Sequence, residues 1–122
     1  MIEFLHKEND LNKILHNQKL TKEPIALLFI SYWEFKTFIW DEISRKLFEY
    51  LKKYNKLWFN YPLYIINSYE MPHSFVIFKT TRVPQLVLLN VDKTEPIKII
   101  NHTPEIFDFL FNPDHYYYLT CS

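Results

Sequence analysis

The chain has 122 residues with 14 basic and 14 acidic side chains, so its formal net charge is zero and nothing advertises a nucleic acid or an anionic membrane. It contains no glycine, which excludes the phosphate loops of Walker and Rossmann nucleotide sites, and its single cysteine, Cys121, cannot staple the chain internally. With 48% hydrophobic and 19% aromatic residues, it reads as one globular domain.

In chain order, Asn9 to Leu15 is expected to be a short helix. It opens with capping residues and places Leu11, Ile14 and Leu15 at helical spacing. Leu20 to Pro24 reads as a turn, and Ile25 to Ser31 as a strand covered on both faces, because its apolar run is continuous. The longest helix follows, with Ile39, Ile43, Leu47, Leu51 and Tyr54 as its stripe, widened by Phe48 and Tyr50, and with Asn55 as a left-handed cap. Leu57 to Tyr69 is strand-like around Leu63 to Ile66. Met71 to Thr81 fits either a helix opening after Pro72 or a strand. Arg82-Val83-Pro84 breaks the chain before two strands, Gln85 to Asn90 and Pro96 to Asn101, paired as a hairpin. A last helix starts with Thr103 as N-cap and Pro104 at its first position, and ends at Asn112-Pro113.

This order resembles the thioredoxin family over roughly residues 8 to 111. The resemblance rests on "RVPQLVLLN" as the family's Val-Pro pair leading into an apolar strand, "VDKTEPIKII" as its closing hairpin and "TPEIFDFLF" as its last helix. It implies an α/β fold of three layers, a central mixed sheet of about four strands flanked by helices. It also implies a cis bond at Val83-Pro84. Residues 1–111 are then the domain and 112–122 an aromatic tail. Aligned on the strand ending at Ser31, the family's Cys-x-x-Cys falls on Phe35-Lys36-Thr37-Phe38. Disulfide exchange needs an attacking thiolate and a resolving thiol, and no cysteine precedes Cys121. The corner has lost that chemistry.

Tyr32, Trp33, Phe35, Phe38 and Trp40 crowd this strand-to-helix corner. Some must pack under the helix, yet five aromatics in nine residues exceed what one buried face absorbs, and exposed aromatics mark contact surfaces. The expected binding residues are Tyr32, Trp33, Phe35, Lys36, Val83 and Pro84, with plain core packing as the competing reading. Catalytic residues are not expected: Ser31, Tyr32 and Thr37 are the only nucleophile candidates, without an adjacent base. His6, His16, His73, His102 and His115 lack metal-ligand spacing, so neither a metal nor another cofactor is expected.

The function expected is a non-redox interaction or assembly module, contacting a protein partner or a second copy through the corner and the proline loop. Two alternatives stay open. One is a thioredoxin-family protein tied to thiol-disulfide processes without its own Cys-x-x-Cys. The other is a different enzyme class on the same scaffold. A cytoplasmic setting is expected, since no apolar run approaches the roughly 20 residues of a membrane span, no signal-peptide pattern opens the chain and cysteine is nearly absent. Twelve lysines against two arginines, with Ala26 the only alanine, point to an AT-rich genome such as a low-GC bacterium or its mobile elements.

Overall fold

A computed structural model describes residues 1–32, 39–53, 57–80, 82–92 and 94–111, and of residues 39–42 only the backbone. Among these residues five strands and four helices follow in the order β1 (Ile2–Phe4), α1 (Glu8–Thr21), β2 (Ile25–Ile30), α2 (Ile39–Lys53), β3 (Leu63–Asn67), α3 (Pro72–Ile77), β4 (Gln85–Leu89), β5 (Ile97–Ile100) and α4 (Thr103–Phe111). The sheet order is β1-β3-β2-β4-β5. β1, β3 and β2 run parallel, while β4 is antiparallel to both β2 and β5. This is the expected three-layer α/β arrangement with one strand more than expected. β1 is only three residues long and pairs Ile2 with Leu63 at the sheet edge. A strand this short carries no periodicity for sequence reading to detect.

β2 lies at the centre, and all six of its residues are buried. Ala26, Leu28 and Ile30 face Leu47 and Leu51 of α2 and Ile106, Phe109 and Leu110 of α4. Ile25, Leu27 and Phe29 face the other way, toward Leu11 of α1 and the partly buried Phe75 and Phe78 at α3. Phe29 meets Phe75 edge-on at 5.1 Å. The continuous apolar run is thus the mark of a strand with helices on both sides.

Several boundaries differ from expectation. α1 runs on to Thr21 and absorbs the start of the expected turn, because Lys22 takes a left-handed backbone (φ 54°) and closes the helix with its N–H on Gln18 O. Strand β3 is confined to Leu63–Asn67. The ambiguous segment after Met71 is helical over Pro72–Ile77, and Glu8 holds its first turn from outside: the carboxylate accepts His73 N–H at 3.0 Å and the Ser74 hydroxyl at 2.8 Å. Thr103 is the first helical residue of α4 rather than its cap, since Ile106 N–H donates to His102 O. Tyr50, expected in the buried stripe of α2, is 48% exposed. The expected Asn55 cap, the stripe residue Tyr54 and the tail lie outside the described residues.

The hairpin turn between β4 and β5 is held by Asp92, whose carboxylate accepts from Thr94 N–H at 2.9 Å and from Thr94 Oγ–H at 2.7 Å. Those bonds, the backbone one foremost, with lesser help from Lys98, hold the Asp92 carboxyl below its usual range. No helix among the described residues is long and apolar enough to cross a membrane.

Candidate functional site

The candidate site sits where β2 ends and where the loop before β4 enters the sheet. In the antiparallel β2–β4 ladder Phe29 stands opposite Gln85. One step further along, β2 leads out to Ser31 and Tyr32, while Val83-Pro84 leads in beside it. The Val83-Pro84 peptide bond is cis. Pro84 is buried, Val83 half-buried and Arg82 exposed. Gln85, 5% exposed, donates from Nε2 to Thr80 Oγ1 at 3.2 Å and ties the loop across its base.

Three polar side chains fix the exit from β2. Ser44, fully buried on α2, accepts the Ser31 N–H at 3.1 Å and pins the helix to the strand end. The Ser31 and Ser68 hydroxyls meet at 2.7 Å. Asn67, the last residue of β3, acts as a clamp: its Oδ1 accepts Tyr32 N–H at 3.0 Å and its Nδ2–H donates to Tyr32 O at 2.7 Å. The amide reproduces with its side chain the paired bonds that a further ladder residue would make, and carries the β2–β3 register one residue past the strand. Sequence reading did not single out Asn67, which lies inside the strand-like stretch Leu57 to Tyr69. Its signal, an amide directly after four buried residues, is legible once the neighbouring strand is known.

Of the expected binding residues, Tyr32 is half-buried. Its ring stacks on Phe48 of α2 at 4.6 Å, Phe48 in turn contacts Phe4, and the Lys52 ammonium lies 5.1 Å from the Phe48 ring centre. One face of Tyr32 is thereby committed to the helix it precedes. Val83 and Pro84 stand in the neighbouring loop. Trp33, Phe35 and Lys36 lie outside the described residues, as do Thr37 and Phe38. Of the two nucleophile candidates that are described, Ser31 and Tyr32, Ser31 is bonded to a second neutral hydroxyl, which supplies no base. Among the described residues no group of three or more His, Cys, Asp or Glu side chains converges as metal ligands would.

No protein-family model and no curated protein matches the chain by sequence. Solved structures do match in shape. The chain is similar to thioredoxin NaTrxh from Nicotiana alata, at 14% identity over 88% of each chain with a TM-score of 0.59. It is similar to oxidised thioredoxin O2 from Arabidopsis thaliana, at 15% identity over 88% of this chain and 90% of that one, TM-score 0.58. For oxidised thioredoxin O1 from the same plant the identity is 15%, the coverage 90% and 97%, and the TM-score 0.57. At such identities the likeness speaks for the fold alone. With its mixed sheet and its one cysteine at position 121, the chain has a thioredoxin-like fold without a Cys-x-x-Cys motif.

Proposed function

We propose that the chain is a non-redox protein-interaction module whose contact surface is the corner after β2 together with the Val83-Pro84 loop. The observation that carries this reading is the pairing of a rigid platform with a missing reagent. The reading is supported by two buried strands, β2 and β4, that lead to Ser31 and Tyr32 on one side and to Val83-Pro84 on the other, and by the lack of any thiol before Cys121 to exchange disulfides. Tyr32, Trp33, Phe35, Lys36, Val83 and Pro84 form the surface, and the partner is a protein. A reducing, cytoplasmic compartment suits a chain so poor in cysteine.

The test compares wild type with Trp33→Ala and Phe35→Ala. Urea unfolding is followed beside capture of partners from the native host, and insulin reduction is assayed on wild type and Cys121→Ser. Truncating an aromatic at a binding hot spot removes about 2 kcal/mol or more of binding energy. The same truncation in a packed core removes about 3–5 kcal/mol of folding stability. The expected result is lost capture with stability nearly unchanged, and no insulin turnover. Collapsed stability in both variants would reduce the corner to core, and turnover that survives Cys121→Ser would sink the non-redox reading.

A further inference from the structure

The edge of the sheet opposite β1 is left open by the described residues. β5 is a terminal strand of the sheet, and which of its backbone groups are free follows from the ladder to β4. Asn90 N–H donates to Pro96 O, which marks theirs as a bonded position of the ladder even though Pro96 has no N–H to return. Bonded and non-bonded pairs alternate in antiparallel ladders, so Lys98 opposite Leu88 and Ile100 opposite Leu86 also turn their amides inward. Ile97 and Ile99 then direct both N–H and C=O away from the sheet. Pro96, which has no N–H, belongs to the inward set, and the outer row of donors is uninterrupted.

The side chains of the same two residues are unusually open. Ile97 is 61% and Ile99 50% exposed, on the sheet face that α1 and α3 cover elsewhere. Natural edges carry charges, prolines or bulges at outward positions to prevent pairing. Here the one charge on the strand, Lys98, lies on the opposite face with its Nζ 3.4 Å from Asp92 Oδ2.

We propose that two copies of the chain associate through antiparallel β5–β5 pairing about a two-fold axis at Ile99, joining two five-stranded sheets into one. The register follows from charge. Centred on Lys98, the axis would set ammonium against ammonium, and like charges directly opposite are destabilising. Centred on Ile97, it would set Glu95 against the Ile99 of the other copy. Centred on Ile99, it bonds Ile99 to its own counterpart and Ile97 to Asn101, with every outward amide matched to an outward amide. It also brings Glu95 beside His102 and Thr103 of the other copy, at the electropositive start of α4. An interface of this kind is self-complementary, as a two-fold dimer requires. It uses a surface separate from the corner and stands or falls independently of the proposed partner site.

Sedimentation of the full-length Cys121→Ser chain across a wide concentration range is the first measurement, and a monomer–dimer equilibrium is expected. Ile99→Pro removes a donor that the monomer does not use. It is expected to weaken the dimer about tenfold or more, since two symmetric bonds are lost, while the circular dichroism spectrum stays native. Glu95→Lys is expected to weaken it as well. The register is read by cross-linking. Paired Ile99 α-carbons would lie about 5.5 Å apart, within the roughly 4.4–6.8 Å of a disulfide. Ile97 α-carbons would be about 14 Å apart along the strands, four residues out of register. Ile99→Cys is therefore expected to oxidise to a covalent dimer much faster than Ile97→Cys. A chain monomeric at every concentration leaves the edge to a foreign strand or to solvent and overturns the proposal. So does a dimer indifferent to Ile99→Pro but lost in Trp33→Ala, which would belong to the corner, and so does equal cross-linking at both positions.

Discussion

Tyr64 shows how the folded chain discriminates between protonation states at a single residue. It lies on β3 facing the α1 side, 9% exposed. Burial, and after it the negative charge of Glu3, raises its hydroxyl above the usual value of 10.0. The folded chain therefore holds this proton to higher pH than the unfolded chain does. The associated stability is fully present below pH about 10, declines as pH rises from the unfolded value toward the folded one, and levels off beyond it. Tyr64→Phe has no proton to lose, so its urea midpoint is expected to fall less steeply than that of wild type as the pH is raised through and above about 10. Glu3→Gln is expected to move wild type part of the way toward that flatter profile. Parallel profiles for wild type and Tyr64→Phe would show that other groups govern the alkaline loss.

At the scale of elements, the junctions carry more information than the elements themselves. Asn67 joins the ends of β2 and β3, and Asn67→Ala would leave both the N–H and the C=O of Tyr32 without their partner in a half-buried place. An unsatisfied buried polar group costs about 1–3 kcal/mol, and a loss of that size in urea-derived stability is expected. Asn67→Asp keeps the acceptor and loses the donor, so an intermediate loss is expected. Unchanged stability in both variants would mean that water replaces the clamp without cost. The same distinction explains what the sequence discloses. The cores of β2, β3 and β4, the amphipathic faces of α1 and α2 and the break at Val83-Pro84 are all legible, because burial on one or both faces writes itself into periodicity. The left-handed turns are less so. In a chain without glycine they fall, among the described residues, on Lys22, Lys79 and Asn90, with φ between 53° and 55°, and only asparagine announces such a backbone by its chemistry. Likewise Glu8 caps α3 from 65 residues away, a partnership that exists only after folding. Of the site, the platform and the missing thiols were readable. The serine and asparagine bonds that shape the exit from β2 were not, since they depend on which strand ends meet.

Taken as a whole molecule, the sheet separates two cores that, among the described residues, share no buried side chain and yet are joined through β2, β3 and β4. β2 makes the point most sharply: Leu28 belongs to the α2/α4 core and its neighbour Phe29 to the α1/α3 core. Leu28→Ala and Phe29→Ala should each remove about 2–5 kcal/mol, a large share of the 5–15 kcal/mol typical of a domain. The question is whether the layers melt separately. Among the described residues a local tryptophan reporter stands on one side. Trp58 packs edge-on against Phe109, with ring centres 5.6 Å apart, and its indole N–H donates to Phe109 O, so it senses the α2/α4 core. Fluorine-labelled tryptophan resolves this residue from Trp33 and Trp40 in NMR, and far-UV circular dichroism reports on the whole chain. If shared strands make one cooperative unit, Phe29→Ala must lower the Trp58 midpoint as far as it lowers the dichroism midpoint, although the cavity it creates lies across the sheet from Trp58. Leu28→Ala must do the same from the near side. A Trp58 transition that stays at the wild-type midpoint in Phe29→Ala, while dichroism shows an earlier partial loss, would establish two layers that unfold in sequence. The β2–β3 and β2–β4 ladders, each five residue pairs long and buried on both faces, argue for the single transition. Neither helix layer can leave without exposing a face of the same three strands.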